Sequence, residues 1–115
     1  MGEQCIFCKI INKEIPSSVV HEDEHVVVFK DISPQAPTHL LIVSRAHIPS
    51  LNELSPEHAA LLGHIPLAAK SIARNLGLAE NGWRLVVNCG SDACQTVFHL
   101  HVHLLGGRPL SGQMA

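Results

Sequence analysis

His99-Leu100-His101-Val102-His103-Leu104-Leu105 alternates imidazole and aliphatic side chains. Successive side chains of a strand point to opposite faces. As a strand, this run places His99, His101 and His103 on one face and turns Leu100, Val102 and Leu104 toward a core. The strand is expected over 98–105. Before it, Gly90-Ser91-Asp92-Ala93 reads as a loop and Arg84-Leu85-Val86-Val87-Asn88 as a further strand. Gly106-Gly107 closes the histidine strand with a turn.

Further upstream lies one long helix. Ser55 caps it, Pro56 suits its first position and Glu57 favours the positive end of its dipole. Leu61, Leu62, Ile65, Ala69, Ile72, Ala73 and Leu76 keep helical spacing up to the stop at Gly77. Pro66 removes an N–H and crowds the carbonyl of Leu62, which predicts an irregularity in the middle. Leu40-Leu41-Ile42-Val43 is apolar on both faces and reads as a central strand. Two prolines three residues apart make 31–38 a loop. Val19-Val20-His21 and Val26-Val27-Val28-Phe29-Lys30 are short strands around an acidic turn. Ile6, Phe7, Ile10 and Ile11 give a short amphipathic helix over 5–12, stopped at Ile15-Pro16. Five strands in hairpin-like order with one long and one short helix make an α+β fold on an antiparallel sheet.

The 115 residues suit a single domain, 1–115, and 46% apolar with 16% charged residues is a core-forming composition. Only 3% of residues are aromatic, so the core rests on Leu, Ile, Val and Ala. A net charge of −2 argues against a nucleic-acid partner gripped by charge, because a phosphate-binding face shows a basic excess. No apolar run approaches the ~20 residues of a membrane span, and Met1-Gly2-Glu3-Gln4 lacks the character of a signal peptide. A cytoplasmic location without a membrane partner is expected. There the four Cys stay reduced and read as metal ligands, catalytic groups or small core residues.

Nine histidines make spacing the informative variable. At a rise of ~3.4 Å per residue, the outer two of the alternating run stand ~13 Å apart at the backbone. Three such imidazoles cannot meet one metal ion unaided, so different tasks for its members are expected. Cys5-x-x-Cys8 is a separate signal, half of a zinc site or a redox pair. A thioredoxin-like motif follows a strand within a βαβ unit, whereas only four residues precede this one, so zinc leads. His21, His25, His58 and His64 read as solvated surface, and Cys89 and Cys94 as small filler residues.

The HxHxHxx run resembles the histidine triad (HIT) superfamily of nucleotide hydrolases and transferases, in particular its small Hint-like branch. The resemblance extends from Cys5-Ile6-Phe7-Cys8-Lys9-Ile10 through Asp31-Ile32-Ser33-Pro34-Gln35-Ala36-Pro37-Thr38-His39 to Leu105-Gly106-Gly107-Arg108. It implies a HIT-like α+β fold and His101 as the nucleophile that forms a nucleotidyl-histidine, later cleaved by water. His103 and His39 match positions that contact phosphate or relay protons. Thr96 stands where the family usually has Ser, next to the leaving group. Asp31 matches the acceptor of the ribose hydroxyls, and its two oxygens suit a vicinal diol. Phe7, Ile10, Phe29 and Ile32 match the apolar walls around a base; Asn88 and Gln95 match positions near the phosphate.

His47 and His99 match residues that complete a tetrahedral zinc site with Cys5 and Cys8 in zinc-bearing members, a structural ion not needed for catalysis. The activity implied is hydrolysis of purine nucleoside 5′-phosphoramidates. Alternatives are a dinucleoside polyphosphate hydrolase, and a zinc-stabilised nucleotide-binding interaction module. Relatives also imply a homodimer, for which Trp83 is a candidate contact and in which the tail 109–115 shapes the leaving-group side. That tail is short here and lacks a Trp.

Overall fold

The alternating run becomes strand β5 (His101–Gly106), paired antiparallel with β3 (Thr38–Ser44) on one side and β4 (Trp83–Val86) on the other. This is a computed structural model that describes residues 5–113. Readings placed on residues 1–4 and 114–115 lie outside it. β1 (Val19–Glu22) and β2 (Val26–Lys30) continue the antiparallel sheet in the order β1-β2-β3-β5-β4. Hairpin order therefore holds through β3 only; β5 inserts between β3 and β4.

Strand ends depart from expectation for local reasons. The ladder of β5 starts at His101, not at 98, because Leu100 bonds elsewhere. Its N–H donates to Ile48 O at 2.7 Å, and its carbonyl accepts from Ser44 N at 3.2 Å. Side-chain alternation nonetheless holds back to His99. β4 starts at Trp83 and ends at Val86, and Asn88 turns off to close the next loop through Nδ2 on Ala93 O at 2.8 Å. That loop contains one 3₁₀ turn, Ser91–Ala93.

The short helix α1 (Ile6–Ile11) begins at Cys5, whose sulfur accepts from the Cys8 N–H. Ser55 opens a single 3₁₀ turn, Pro56–His58, ahead of α2 (Ala59–Asn75). α2 runs unbroken through Pro66, contrary to the expected irregularity. Pro66 is exposed, so water can serve the carbonyl its ring leaves without a donor. Gly77 ends the helix at φ +78, with Gly77 N–H on Arg74 O and Leu78 N–H on Ala73 O, the paired bonds of a Schellman stop.

Both faces of the sheet are covered. Val26, Val28, Leu40, Ile42, Val102 and Leu104 meet Leu61, Ile65, Ala69 and Ile72 of α2. The other face carries Val27, Phe29, Leu41 and Val43 under Phe7 of α1. Trp83 is half-buried at the edge of the α2 core. No described helix is long and apolar enough to cross a membrane.

Candidate functional site

The face under α1 also holds the histidines, because Leu41 pairs with His103 and Val43 with His101 across the β3–β5 ladder. His101 is buried, and its Nδ1–H donates to the His99 carbonyl at 2.6 Å. A carbonyl only accepts, so neutral His101 carries its proton on Nδ1 and leaves Nε2 with a bare lone pair. Phe7 sets its ring edge-on to His101 at 5.0 Å, and the His103 ring stands 5.2 Å away.

A second assignment comes from the loop after β2. The Gln35 N–H donates to His39 Nδ1 at 3.0 Å, so the proton of neutral His39 sits on Nε2. From there it donates to His103 Nδ1 at 2.9 Å, with an Asp31 carboxylate oxygen 3.4 Å away. His103 therefore presents Nε2–H outward. Burial, reinforced by His101 and His39 beside it, lowers the pKa of His103 and favours this neutral state. Asp31 is pinned through Oδ1, which accepts from the Ser33 N–H at 2.8 Å.

His99 takes the different task that the strand spacing demanded. It is wholly buried, and its Nε2–H donates to Ser44 O at 2.6 Å, which leaves Nδ1 bare. That nitrogen lies 3.3 Å from Cys5 Sγ, 3.5 Å from Cys8 Sγ and 3.1 Å from His47 Nδ1; Cys8 Sγ and His47 Nδ1 are 3.2 Å apart. All four ligand atoms lie within 4.8 Å of one another. Bonds of about 2.0–2.3 Å to a tetrahedral ion put its ligands roughly 3.3–3.8 Å apart. The cluster is close to those edges, and its two-sulfur, two-nitrogen composition suits zinc. Burial and the neighbouring Cys5 push the Cys8 thiol up to about 11, while burial, with His47 and His101 nearby, lowers His99.

The family model described as "Scavenger mRNA decapping enzyme C-term binding" matches residues 4–114. The purine nucleoside phosphoramidase of Escherichia coli K12 is 50% identical over all of this chain and 97% of its own. The 14 kDa zinc-binding protein of Zea mays is 50% identical over 92% of this chain and 84% of its own. A solved HIT family hydrolase from Legionella pneumophila Philadelphia 1 superposes with a TM-score of 0.94 at 46% identity, covering 97% of this chain and 100% of that one. The chain belongs to the HIT family.

Against that family, the structure sorts the candidate residues. It brings His39, Asp31, His103 and His101 together as one constellation, and Cys5, Cys8, His47 and His99 as another. Phe7 and Phe29 are buried, T-shaped at 5.5 Å, and form the floor behind the histidines. Ile10 lines a cleft of about 220 Å³ with Ile15, Val19 and Val27, and with the charged Lys13 and Glu22. Ile32, expected as a base wall, is 98% exposed on this chain. Gln95, expected near the phosphate, is buried; its amide oxygen accepts from the Gly90 N–H and its amide nitrogen donates to Pro49 O and Val97 O. It shapes the loop ahead of the histidines. Asn88 does the same through Ala93 O. Thr96 is exposed, and its hydroxyl bonds no other described residue.

Four HIT-chain histidines read as surface are half-buried instead. His21 and His64 both place Nε2 2.7 Å from one Asp23 oxygen, His25 packs against the His64 ring at 4.7 Å, and Ser55 N–H donates to His58 Nδ1. Cys94 is no filler: it is exposed at φ +66. Two contributors escaped sequence reasoning, the Gln35 N–H and the Ser44 carbonyl. Both act through backbone, which side-chain identity does not advertise. Arg108 binds Gln35 O and Arg84 binds Ser111 O, so the described tail runs beside the loop that sets His39.

Proposed function

We propose that this HIT protein hydrolyses purine nucleoside 5′-phosphoramidates to the nucleoside monophosphate and an amine. The observation that carries the reading is the tautomer of His101, whose Nε2 is bare and stands beside a donor-bearing His103. Nε2 attacks phosphorus, the P–N bond breaks and the amine leaves with a proton relayed from solvent through the exposed Thr96 hydroxyl, which takes up one proton as it gives one. Water then cleaves the nucleotidyl-histidine. Two displacements replace one difficult step. The outward N–H of His103 stabilises charge on the phosphoryl oxygens. Asp31 takes the ribose hydroxyls. The cleft beside Ile10 is smaller than the roughly 300–1,000 Å³ of a site enclosing a whole drug-sized ligand, and it suits a base.

The Cys5–Cys8–His47–His99 set fits a zinc ion that ties α1 to the sheet; the ion would supply a cross-link and no chemistry at phosphorus. A homodimer is supported by an apolar groove beside β4 lined by Leu51, Leu62, Ile65, Leu85, Val87 and Val102, with Val87 and Phe98 exposed nearby. Sedimentation at micromolar concentration tests it, and a lone monomer refutes it. Four free cysteines among the described residues agree with a cytoplasmic location. Turnover of adenosine 5′-phosphoramidate against a diadenosine polyphosphate tests the activity. Preference for the P–N substrate is expected, and preference for the polyphosphate overturns the reading.

A further inference from the structure

The metal-ligating cluster and the nucleophile share a residue. The side chain of His99 stands among Cys5, Cys8 and His47, while its backbone carbonyl receives the Nδ1–H of His101 at 2.6 Å. That carbonyl lies ahead of the first β5 ladder pair, Val43↔His101, so the sheet does not hold it. What fixes residue 99 is its own ring, buried between Ser44 O and the cluster, and the bonds of the following Leu100 to Ile48 and Ser44. A parallel contact runs through α1, where Phe7 lies between the two cysteines in sequence. Its ring centre is 6.0 Å from His99 and 5.0 Å from His101.

We propose that the Cys5–Cys8–His47–His99 cluster is a positioning device for the nucleophile. The groups that hold the His99 ring, together with the Leu100 N–H bonded to Ile48 O in the same peptide plane, set the direction of the His99 carbonyl, and that carbonyl sets the tautomer and aim of His101. The inference rests on the activity and the zinc reading given above and adds a coupling between them. Displacement of a reacting group by ~1 Å costs on the order of 10²-fold in rate. Loosening the cluster therefore acts on kcat, whereas Asp31, which takes the ribose, belongs to the loop after β2 and keeps KM near its native value. A merely structural cluster lowers the melting temperature and leaves kcat alone at temperatures where the chain is folded.

The test compares the wild type, with zinc and after chelation, with His47→Gln. His47 is the exposed ligand, so its replacement leaves both cysteines and α1 in place. Two readouts are taken: ¹⁵N chemical shifts of the His101 ring, and kcat and KM on adenosine 5′-phosphoramidate. The expected result is a single Nδ1–H tautomer with zinc and a mixed one in the zinc-depleted forms, kcat lower by about 10-fold or more and KM within about 3-fold. Unchanged His101 shifts and kcat in a folded, zinc-depleted form overturn the proposal. So does a wild type whose His101 shifts are the same with zinc and after chelation, which decides the matter even where the variant fails to fold. A wild type without turnover sinks the activity reading, and the ring shifts then decide the positioning alone.

Discussion

The two faces of the sheet arise from the same alternating strands, yet they are finished differently. On one, Val26, Val28, Leu40, Ile42, Val102 and Leu104 meet a 17-residue helix in an aliphatic core with Trp83 at its edge. On the other, a helix of six residues covers part of the face, and Leu41 and Val43 share it with His39, His101 and His103. The long helix supplies stability, and the short one leaves room for chemistry. The three buried imidazoles each have an acceptor for their proton: His99 O for His101, His103 Nδ1 for His39, Ser44 O for His99. No described buried side-chain N or O lacks a partner.

Substitutions on each face sharpen this division, starting with the largest effect. His101→Ala should lower turnover by about 10³-fold or more and leave nucleoside monophosphate affinity within about 1–2 kcal/mol, measured by steady-state kinetics and calorimetry. Retained kcat breaks the comparison on the chemical side. Leu104→Ala, on the opposite face of the same strand, should cost about 2–5 kcal/mol in urea denaturation, with turnover per folded molecule largely kept. Cys8→Ala should lose the one zinc per chain expected for the wild type and lower the melting temperature, because metal binding is coupled to folding. A wild type that melts identically with and without chelator removes the ion from the account.

The smallest effect lies at the β1–β2 turn. Burial alone would raise the Asp23 carboxyl, but hydrogen bonds from His21, His64 and the His25 and Val26 N–H groups hold it well below the usual carboxylate range. A carboxyl lowered in the folded state contributes stability above its unfolded pKa of about 3.9, and loses it as pH falls further. Asp23→Asn should therefore destabilise by about 1–2 kcal/mol at neutral pH, with the difference shrinking below pH ~4. A constant gap across that range contradicts the assignment.

The fold was legible in the sequence because period-two alternation, the Ser55-Pro56 start and the Gly77 stop are local signals. The insertion of β5 between β3 and β4 was not, since strand order depends on pairings between residues some sixty positions apart, such as Leu41 with His103. The histidine–aspartate constellation and the cluster were legible as residue sets from a family resemblance. Their tautomers were not, because Gln35 and Ser44 contribute through backbone groups. Nor does a position in a motif block say which way a side chain turns: Gln95 folds inward and Ile32 faces outward. The Asp23 cluster draws on β1, its turn and α2, and no spacing rule unites those segments.

The placement of β5 also bears on how the chain acquires its structure. β4 has no sheet neighbour except β5, and β3 meets β4 only through it. A nascent chain that has emerged only as far as residue 100 can hold the β1–β2–β3 meander but not the finished sheet, and its apolar β3 edge stays open to other partners. Closure of the sheet and delivery of His101 and His103 are thus one event. Fragments lacking 101–106 should be aggregation-prone, and no partly folded species should carry the hydrolytic centre.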